Sequence, residues 1–250
     1  MSKYETILVD NHDDGVSVIT INRPDRRNAL SATVVRELQI AFKEFDQDDS
    51  RHVAVLTGAG DGAFSAGADI NEWPELWRGI PTLGFNTDKP IIGAVSGWCV
   101  GGALVIAMMT DLLVASESAK FSYPEAKLGF TGGVISGLAS RIPHHVAMEV
   151  ILLCRTLEAQ RAYDLGFVNE VVPVGQQVDA AVKMGQELAK MSPMVLRTLK
   201  RFINKEVLNS GPSESMWRTM VQLKAIEESA DAKEGIAAFK EKRAPEYTGK

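Results

Sequence analysis

Short polar and glycine-rich stretches divide this chain into apolar runs whose spacing predicts its elements. Positions 7–9 and 16–21 predict two strands, and Asn11-His12-Asp13-Asp14-Gly15 between them predicts a hairpin turn. Arg23-Pro24 ends the second strand, and a polar loop, Asp25-Arg26-Arg27-Asn28, follows. Val34, Leu38, Ala41, Phe42 and Phe45 recur at helical spacing, with Ser31 placed to cap that helix. The apolar run at 53–57 predicts a buried strand leading into Gly58-Ala59-Gly60-Asp61-Gly62. The order strand, glycine loop, helix returns at 91–109, and strands follow at 112–114 and 120–122. Thr131-Gly132-Gly133 predicts a turn opening another helix, Thr156 the cap of a short helix that Gly166 stops, and 170–172 a strand.

Two stretches stand apart. Positions 63–70 read as a glycine-punctuated loop, and the Trp-rich 71–85 as a loosely structured lid or pocket wall. From Val178 onward the pattern is helical: 178–191, 194–209, 213–228 and 231–242, the last opened by Asp231 and Glu234 at capping-box spacing. Strands alternating with helices through 172 predict an α/β core, with the amphipathic tail as an assembly element. There is no exact internal repeat and no linker that would separate independent domains.

Composition narrows the classes. The 250 residues are 45% hydrophobic and 24% charged, which excludes disordered and low-complexity chains. A net charge of −5 gives no broad basic face for nucleic acid, so a bound nucleotide would be met by a few local cations. Cys99 and Cys154 are far apart with no CxxC, which predicts a reducing compartment and no thiolate metal site. Among four histidines there is no HxH or HExxH, and His144-His145 read as partly exposed helix-start residues, so no metal is expected. The first residues lack a targeting pattern, and the longest apolar stretch, 98–109, falls short of the ~20 residues of a membrane span. A cytoplasmic protein without membrane contact is expected.

Three glycine-rich places are candidates for chemistry. Gly58–Gly62 follows a strand, but its third glycine comes one residue early for a dinucleotide fingerprint and no helix follows directly. Gly101-Gly102 lies between a strand and an apolar helix, where N–H groups lack internal partners; it reads either as a ligand contact or as a tight packed turn. Phe64-Ser65-Ala66-Gly67-Ala68-Asp69 similarly exposes backbone N–H groups. Two such donors aimed at one carbonyl would form an oxyanion hole.

Taken in order, Asn22-Arg23-Pro24, Asn28-Ala29-Leu30-Ser31, Ala63-Phe64-Ser65-Ala66-Gly67-Ala68-Asp69-Ile70, Gly97-Trp98-Cys99-Val100-Gly101-Gly102-Ala103 and Pro124-Glu125-Ala126-Lys127-Leu128-Gly129 resemble the crotonase (enoyl-CoA hydratase/isomerase) superfamily. The ending Glu234-Gly235-Ile236-Ala237-Ala238-Phe239-Lys240-Glu241-Lys242-Arg243 fits as well. The resemblance implies a core of repeated ββα units over 1–192, and a helical region at 193–250 used for assembly into a homotrimer or dimer of trimers. It implies an acyl-CoA thioester as substrate and no permanently bound cofactor. The thioester oxygen would meet the N–H groups of Ala66 and Gly102, with Glu125 as acid–base. Coenzyme A would lie along Ala29, Ala68, Asp69 and Ile70, Arg26 or Arg27 would meet its phosphates, and Phe239 and Lys242 would reach a neighbouring subunit's coenzyme A.

The chain departs from the family pattern at one position. Hydratases of this family use two glutamates around a water, and the first of them is Val105 here. A lone Glu125 can still shuttle a proton; hydration would need a water chain or a further acid such as Asp69, Glu72 or Glu117. Asp69 also reads as a partner for loop N–H groups, and Glu117 as part of a solvated turn. The expectation is isomerisation or hydration of an enoyl-CoA. Its alternatives are C–C or C–X cleavage of an acyl-CoA, or a silent coenzyme A-binding oligomer. Trp73, Trp77, Phe85 and Trp98 read equally as an acyl pocket or as core.

Overall fold

The computed structural model describes residues 3–208 and 212–249. Strands β1 (Ile7–Asn11) and β2 (Val16–Ile21) form the antiparallel hairpin, and α1 (Ala32–Gln47) follows with Ser31 as its cap, its Oγ accepting the Val34 N–H at 3.2 Å. Three turns of a spiral come next, each placing one strand in each of two sheets. They are β3 (Val53–Gly58) with β4 (Ala63–Ser65), β5 (Ile91–Val95) with β6 (Trp98–Val100), and β7 (Leu112–Ser116) with β8 (Lys120–Ser122). The larger sheet has the order β1-β2-β3-β5-β7-β10, parallel from β2 onward, with β10 at Glu170–Val172. The smaller has the order β4-β6-β8-β9, with β9 at Leu157–Glu158. Helices α2 (Gly102–Met108) and α3 (Glu125–Leu128) complete the second and third turns.

The central strands β3 and β5 of the larger sheet are buried on both faces, which is why they read as unbroken apolar runs. Ala54, Leu56, Ile91 and Val95 join the main core with α1 and α2, while Val53, Val55, Ile92 and Ala94 face the opposite cluster. Helix α6 (Gln177–Ala189) covers that second face through Ala181 and Gly185, the glycine letting it settle onto Val16. Around the core stand α4 (His144–Leu152) and α5 (Ala159–Asp164), then the tail helices α7 (Pro193–Phe202), α8 (Pro212–Glu227) and α9 (Ala230–Glu241). Among the described residues no helix is long and apolar enough to cross a membrane.

Several expectations are corrected. Strands β4, β6 and β9 are two or three residues long, too short to show a period of two; β4 and β6 lie in stretches that read as glycine loops, and β9 where the helix after Thr156 was expected. The segment 71–85 is not loose: Leu76–Gly79 forms a 3-10 turn, and Trp77, Ile80, Leu83 and Phe85 are buried. Phe85 stacks on Phe42 at 4.2 Å. Residues Val134–Ser140 form a 3-10 stretch rather than an α-helix. Thr156 does not cap α5, which begins after Glu158 without a side-chain cap. Ser229, not Asp231, caps α9; the Asp231 carboxylate instead accepts the Thr248 and Gly249 N–H groups of the returning tail. Helix α7 passes into a π-turn at Ile203–Val207, and position 209 of the expected helix lies outside the described residues.

Lys89 is a fully buried lysine, 1% exposed, whose Nζ donates to the carbonyls of Phe45 (2.7 Å) and Asp48 (2.8 Å). It closes the C-terminal end of α1, where carbonyls lack helical partners. Lys89→Met keeps the stem and removes the donors, and is expected to cost about 2–3 kcal/mol. Urea denaturation checks this, the midpoint falling with an unchanged m-value.

Candidate active site

The second glycine turn brings β6 into α2. Gly101 has φ +58° and ψ −120°, a conformation that a residue with a Cβ avoids. A Cβ at Gly101 would lie 2.5 Å from Oε1 of Glu125, so the carboxylate occupies the space that glycine leaves. The Gly101 N–H donates to the Ser122 carbonyl at 2.9 Å. Gly102 is the first residue of α2, and its N–H has no partner among the described residues.

The loop at 63–70 is fixed from the N-terminal side. Asn28, 1% exposed with φ +55°, accepts the Arg23 N–H (3.0 Å) and donates to the carbonyls of Ala59 (3.0 Å) and Ala63 (2.8 Å). Arg23 donates to Ala29 O (2.7 Å) and pairs with Asp69 at 3.0 Å. Leu30 donates to Gly67 O (2.8 Å) and accepts from Asp69 N–H (2.9 Å), an isolated parallel bridge that turns the Ala68 N–H to the opposite side. That N–H is without a partner among the described residues. A Cβ at Gly67 would lie 2.7 Å from Val100 O, so the two glycine turns touch main chain to main chain.

This geometry corrects the expectation for Ala66. Its N–H donates to Arg27 O at 2.9 Å and is not free for a ligand. Among the described residues the amides of Ala68 and Gly102 have no hydrogen-bond partner. The Asp69 carboxylate is also committed. Burial pushes its pKa up, but the Asn71 N–H and Arg23 outweigh this and hold it below the usual range, so Asp69 braces the loop.

Glu125 opens α3 behind Pro124 and is 7% exposed. Its Oε2 is buried with no hydrogen-bond partner. Burial raises its pKa to about 7, against a smaller lowering by its own N–H. Val105, one turn along α2, is buried and apolar. Of the other acids considered, Glu72 is exposed with only a long contact to Thr33 (3.4 Å), and Glu117 is exposed on its turn.

Other expected positions lie at the rim or away from it. Arg26 and Arg27 are exposed on the 3-10 turn Pro24–Arg26 and its end, Ala29 and Ala68 are half-buried, and Ile70 is exposed. Trp73 and Trp98 are exposed whereas Trp77 and Phe85 belong to the core. Phe239 is 85% exposed on α9, which packs on α8, so core packing does not explain it. Lys242 ends that helix with φ +55°. A cavity of about 470 Å³, lined by Met109, Asp111, Arg141, Lys200 and Glu214, sits at the other end of α2 from Gly102 and is separate from this site. Sequence reasoning missed Tyr123, Thr131 and Trp217. Trp217 in α8 donates from Nε1 to Gly132 O at 3.0 Å and so holds the loop after Glu125.

The sequence profile of the enoyl-CoA hydratase/isomerase family matches residues 11–250. The chain belongs to this family. It is 35% identical to the probable enoyl-CoA hydratase echA8 of Mycobacterium tuberculosis, over 98% of each chain. Among solved structures it is similar to an enoyl-CoA hydratase of Mycobacterium tuberculosis (TM-score 0.76, 35% identity, 98% of this chain and 99% of that one). It is also similar to a carnitinyl-CoA hydratase of Mycobacterium avium (TM-score 0.76, 32% identity, 99% and 100%).

Gly101→Ala is expected to cost about 2–4 kcal/mol and to displace Glu125, because the new Cβ meets both a forbidden φ and a carboxylate. Gly62→Ala, with open space around it, should change stability by no more than about 0.5 kcal/mol. Thermal or urea unfolding of the two variants provides the comparison.

Proposed function

We propose that the chain binds an enoyl-CoA thioester, holds its carbonyl oxygen between the N–H groups of Ala68 and Gly102, and moves a proton with Glu125 alone. The observation that carries this reading is the Glu125 carboxylate, buried and half unpaired against Gly101. An unsatisfied buried carboxylate is costly, and a pKa near 7 suits a group that must both take and release a proton. Two fixed amides stabilise the enolate oxygen as charge develops on it, each worth ~10²–10³ in rate. Glu125 removes a proton from the acyl chain, and the enolate regains it at another carbon, moving the double bond. Val105 supplies no second acid, so hydration requires another polar group to hold the water.

Coenzyme A, as part of the substrate and not as a resident cofactor, would lie along Ala29, Ala68 and Ile70, with Arg26 or Arg27 at its phosphates. The exposed apolar residues Met194, Leu199, Phe202, Met220, Ile226 and Phe239 on α7–α9 support the 193–250 region as the assembly element of a homotrimer or dimer of trimers, with 1–192 as the catalytic core. In that assembly Phe239 and Lys242 reach a neighbour's coenzyme A. A cytoplasmic location goes with this reading.

Purified protein given trans-2-enoyl-, 3-enoyl- and 3-hydroxyacyl-CoA, with product identification, tests the reaction class. Glu125→Gln should lose about 10²–10⁴ in kcat; full turnover in that variant would overturn the assignment.

If the carboxylate acts as base, kcat/KM should rise through about pH 7 and level off above it. The raised pKa also has a sign for stability. Glu125 is neutral in both states below about pH 4, and above about pH 7 it is charged in both, so folding then bears the desolvation cost. Glu125→Gln should therefore stabilise the protein by about 2–3 kcal/mol at pH 8 and by little near pH 4, read from urea unfolding at each pH.

A further inference from the structure

The segment after Glu125 folds straight back onto it. The N–H groups of Gly129 and Phe130 donate to the Glu125 carbonyl at 2.9 and 3.4 Å. This return places Thr131 Oγ1 2.7 Å from the hydroxyl of Tyr123, two residues before Glu125. Tyr123 is 4% exposed and shares the apolar cluster of Val105. Burial first, and the Glu125 charge as well, push the Tyr123 phenol above its ordinary pKa, while the bond to Thr131 pulls the other way. Phe130 meets Trp73 edge-on at 5.1 Å, which ties this loop to the one carrying Ala68.

Either hydroxyl of the pair could donate the shared proton. Thr131 Oγ1 already accepts the Gly133 N–H at 3.0 Å. Two hydroxyls carry two protons and share one between them, so one O–H has no acceptor among the described residues. Tyr123 is buried and Thr131 exposed, so the arrangement that presents the spare O–H to a ligand is the one in which Tyr123 donates to Thr131, and the proposal adopts it. Both Thr131 lone pairs are then filled, and its hydroxyl is left as a donor only.

We propose that Thr131, oriented by Tyr123, holds a water molecule against Glu125, so that this chain hydrates a 2-enoyl thioester without a second carboxylate. The proposal rests on the enolate reading of the same site. The water oxygen bonds to C3 as the C2–C3 π pair moves toward the thioester, and the negative charge settles on the oxygen held by Ala68 and Gly102. The water proton passes to Glu125 and is returned to C2 as the enolate collapses. Water is added overall, nothing is oxidised, and Glu125 ends as a carboxylate. Thr131 is the residue that touches the water, and Tyr123 is a positioning residue.

The test is the ratio of two rates in one preparation: formation of ¹⁸O-labelled 3-hydroxyacyl-CoA from a trans-2-enoyl-CoA in H₂¹⁸O, and of 2-enoyl-CoA from a 3-enoyl-CoA. In Thr131→Val the ratio of hydration to isomerisation should fall at least tenfold. Tyr123→Phe should lower it severalfold, and Thr131→Ser should restore it. An unchanged ratio in Thr131→Val, an equal fall of both rates, or a wild-type protein that isomerises without hydrating would each overturn the proposal. Those results leave the Glu125 reading intact if Glu125→Gln abolishes isomerisation. Persistence of both reactions in Glu125→Gln would instead show that the enolate reading itself has failed.

Discussion

Main chain without a Cβ, at Gly67 and at Gly101, is the condition on which the site depends. Any larger residue at Gly67 would strike the Val100 carbonyl, and any at Gly101 would enter the space of the Glu125 carboxylate. Because those Cβ atoms are missing, the loop from the first turn of the spiral, the strand-to-helix turn of the second and the acid of the third meet within contact distance. Each turn contributes one element, so the site belongs to the succession of turns and not to any one of them. The positive φ at both glycines adds a second reason why side chains are excluded there.

That seat makes Glu125 electrostatically expensive for one physical reason. Burial removes the water that would stabilise the anion, and no hydrogen-bond donor replaces it at Oε2. Asp69, in the loop of the first turn, is the contrasting case. It is buried too, yet the Asn71 N–H and Arg23 hold its carboxyl below the usual range, so it braces the loop as an anion. Two buried carboxylates thus shift in opposite directions because their partners differ.

Much of the fold was legible because its signals are long-range in sequence and simple in period. The apolar runs at 53–57 and 91–95, the helical spacing of 34–45 and the tail helices all formed close to where the pattern placed them. The misses have physical causes. Strands β4 and β6 obtain their hydrogen bonds from neighbours in the second sheet, and three residues show no period of their own. Trp77 and Phe85 were ambiguous because a core aromatic and a pocket aromatic have the same composition; burial of both, and for Phe85 stacking on Phe42, decided for the core. In the site, Glu125 and Gly102 were legible from motif and glycine spacing. The direction of an N–H group was not. Ala66 and Ala68 are the same residue type two positions apart, and only the bridge to Leu30 and the bond to Arg27 separate them.

By itself the sequence determined the family, the alternation that builds the α/β core, the glycine turns and the apolar residue at position 105. These follow from residue type and spacing, which local steric and hydrophobic rules convert into elements. The tertiary structure alone decided that Ala68 rather than Ala66 has the free amide, that Oε2 of Glu125 is buried without a partner, and that the hydroxyls of Tyr123 and Thr131 meet. Hydrogen-bond direction and desolvation are properties of what surrounds a group, and those surroundings come from segments distant in the chain.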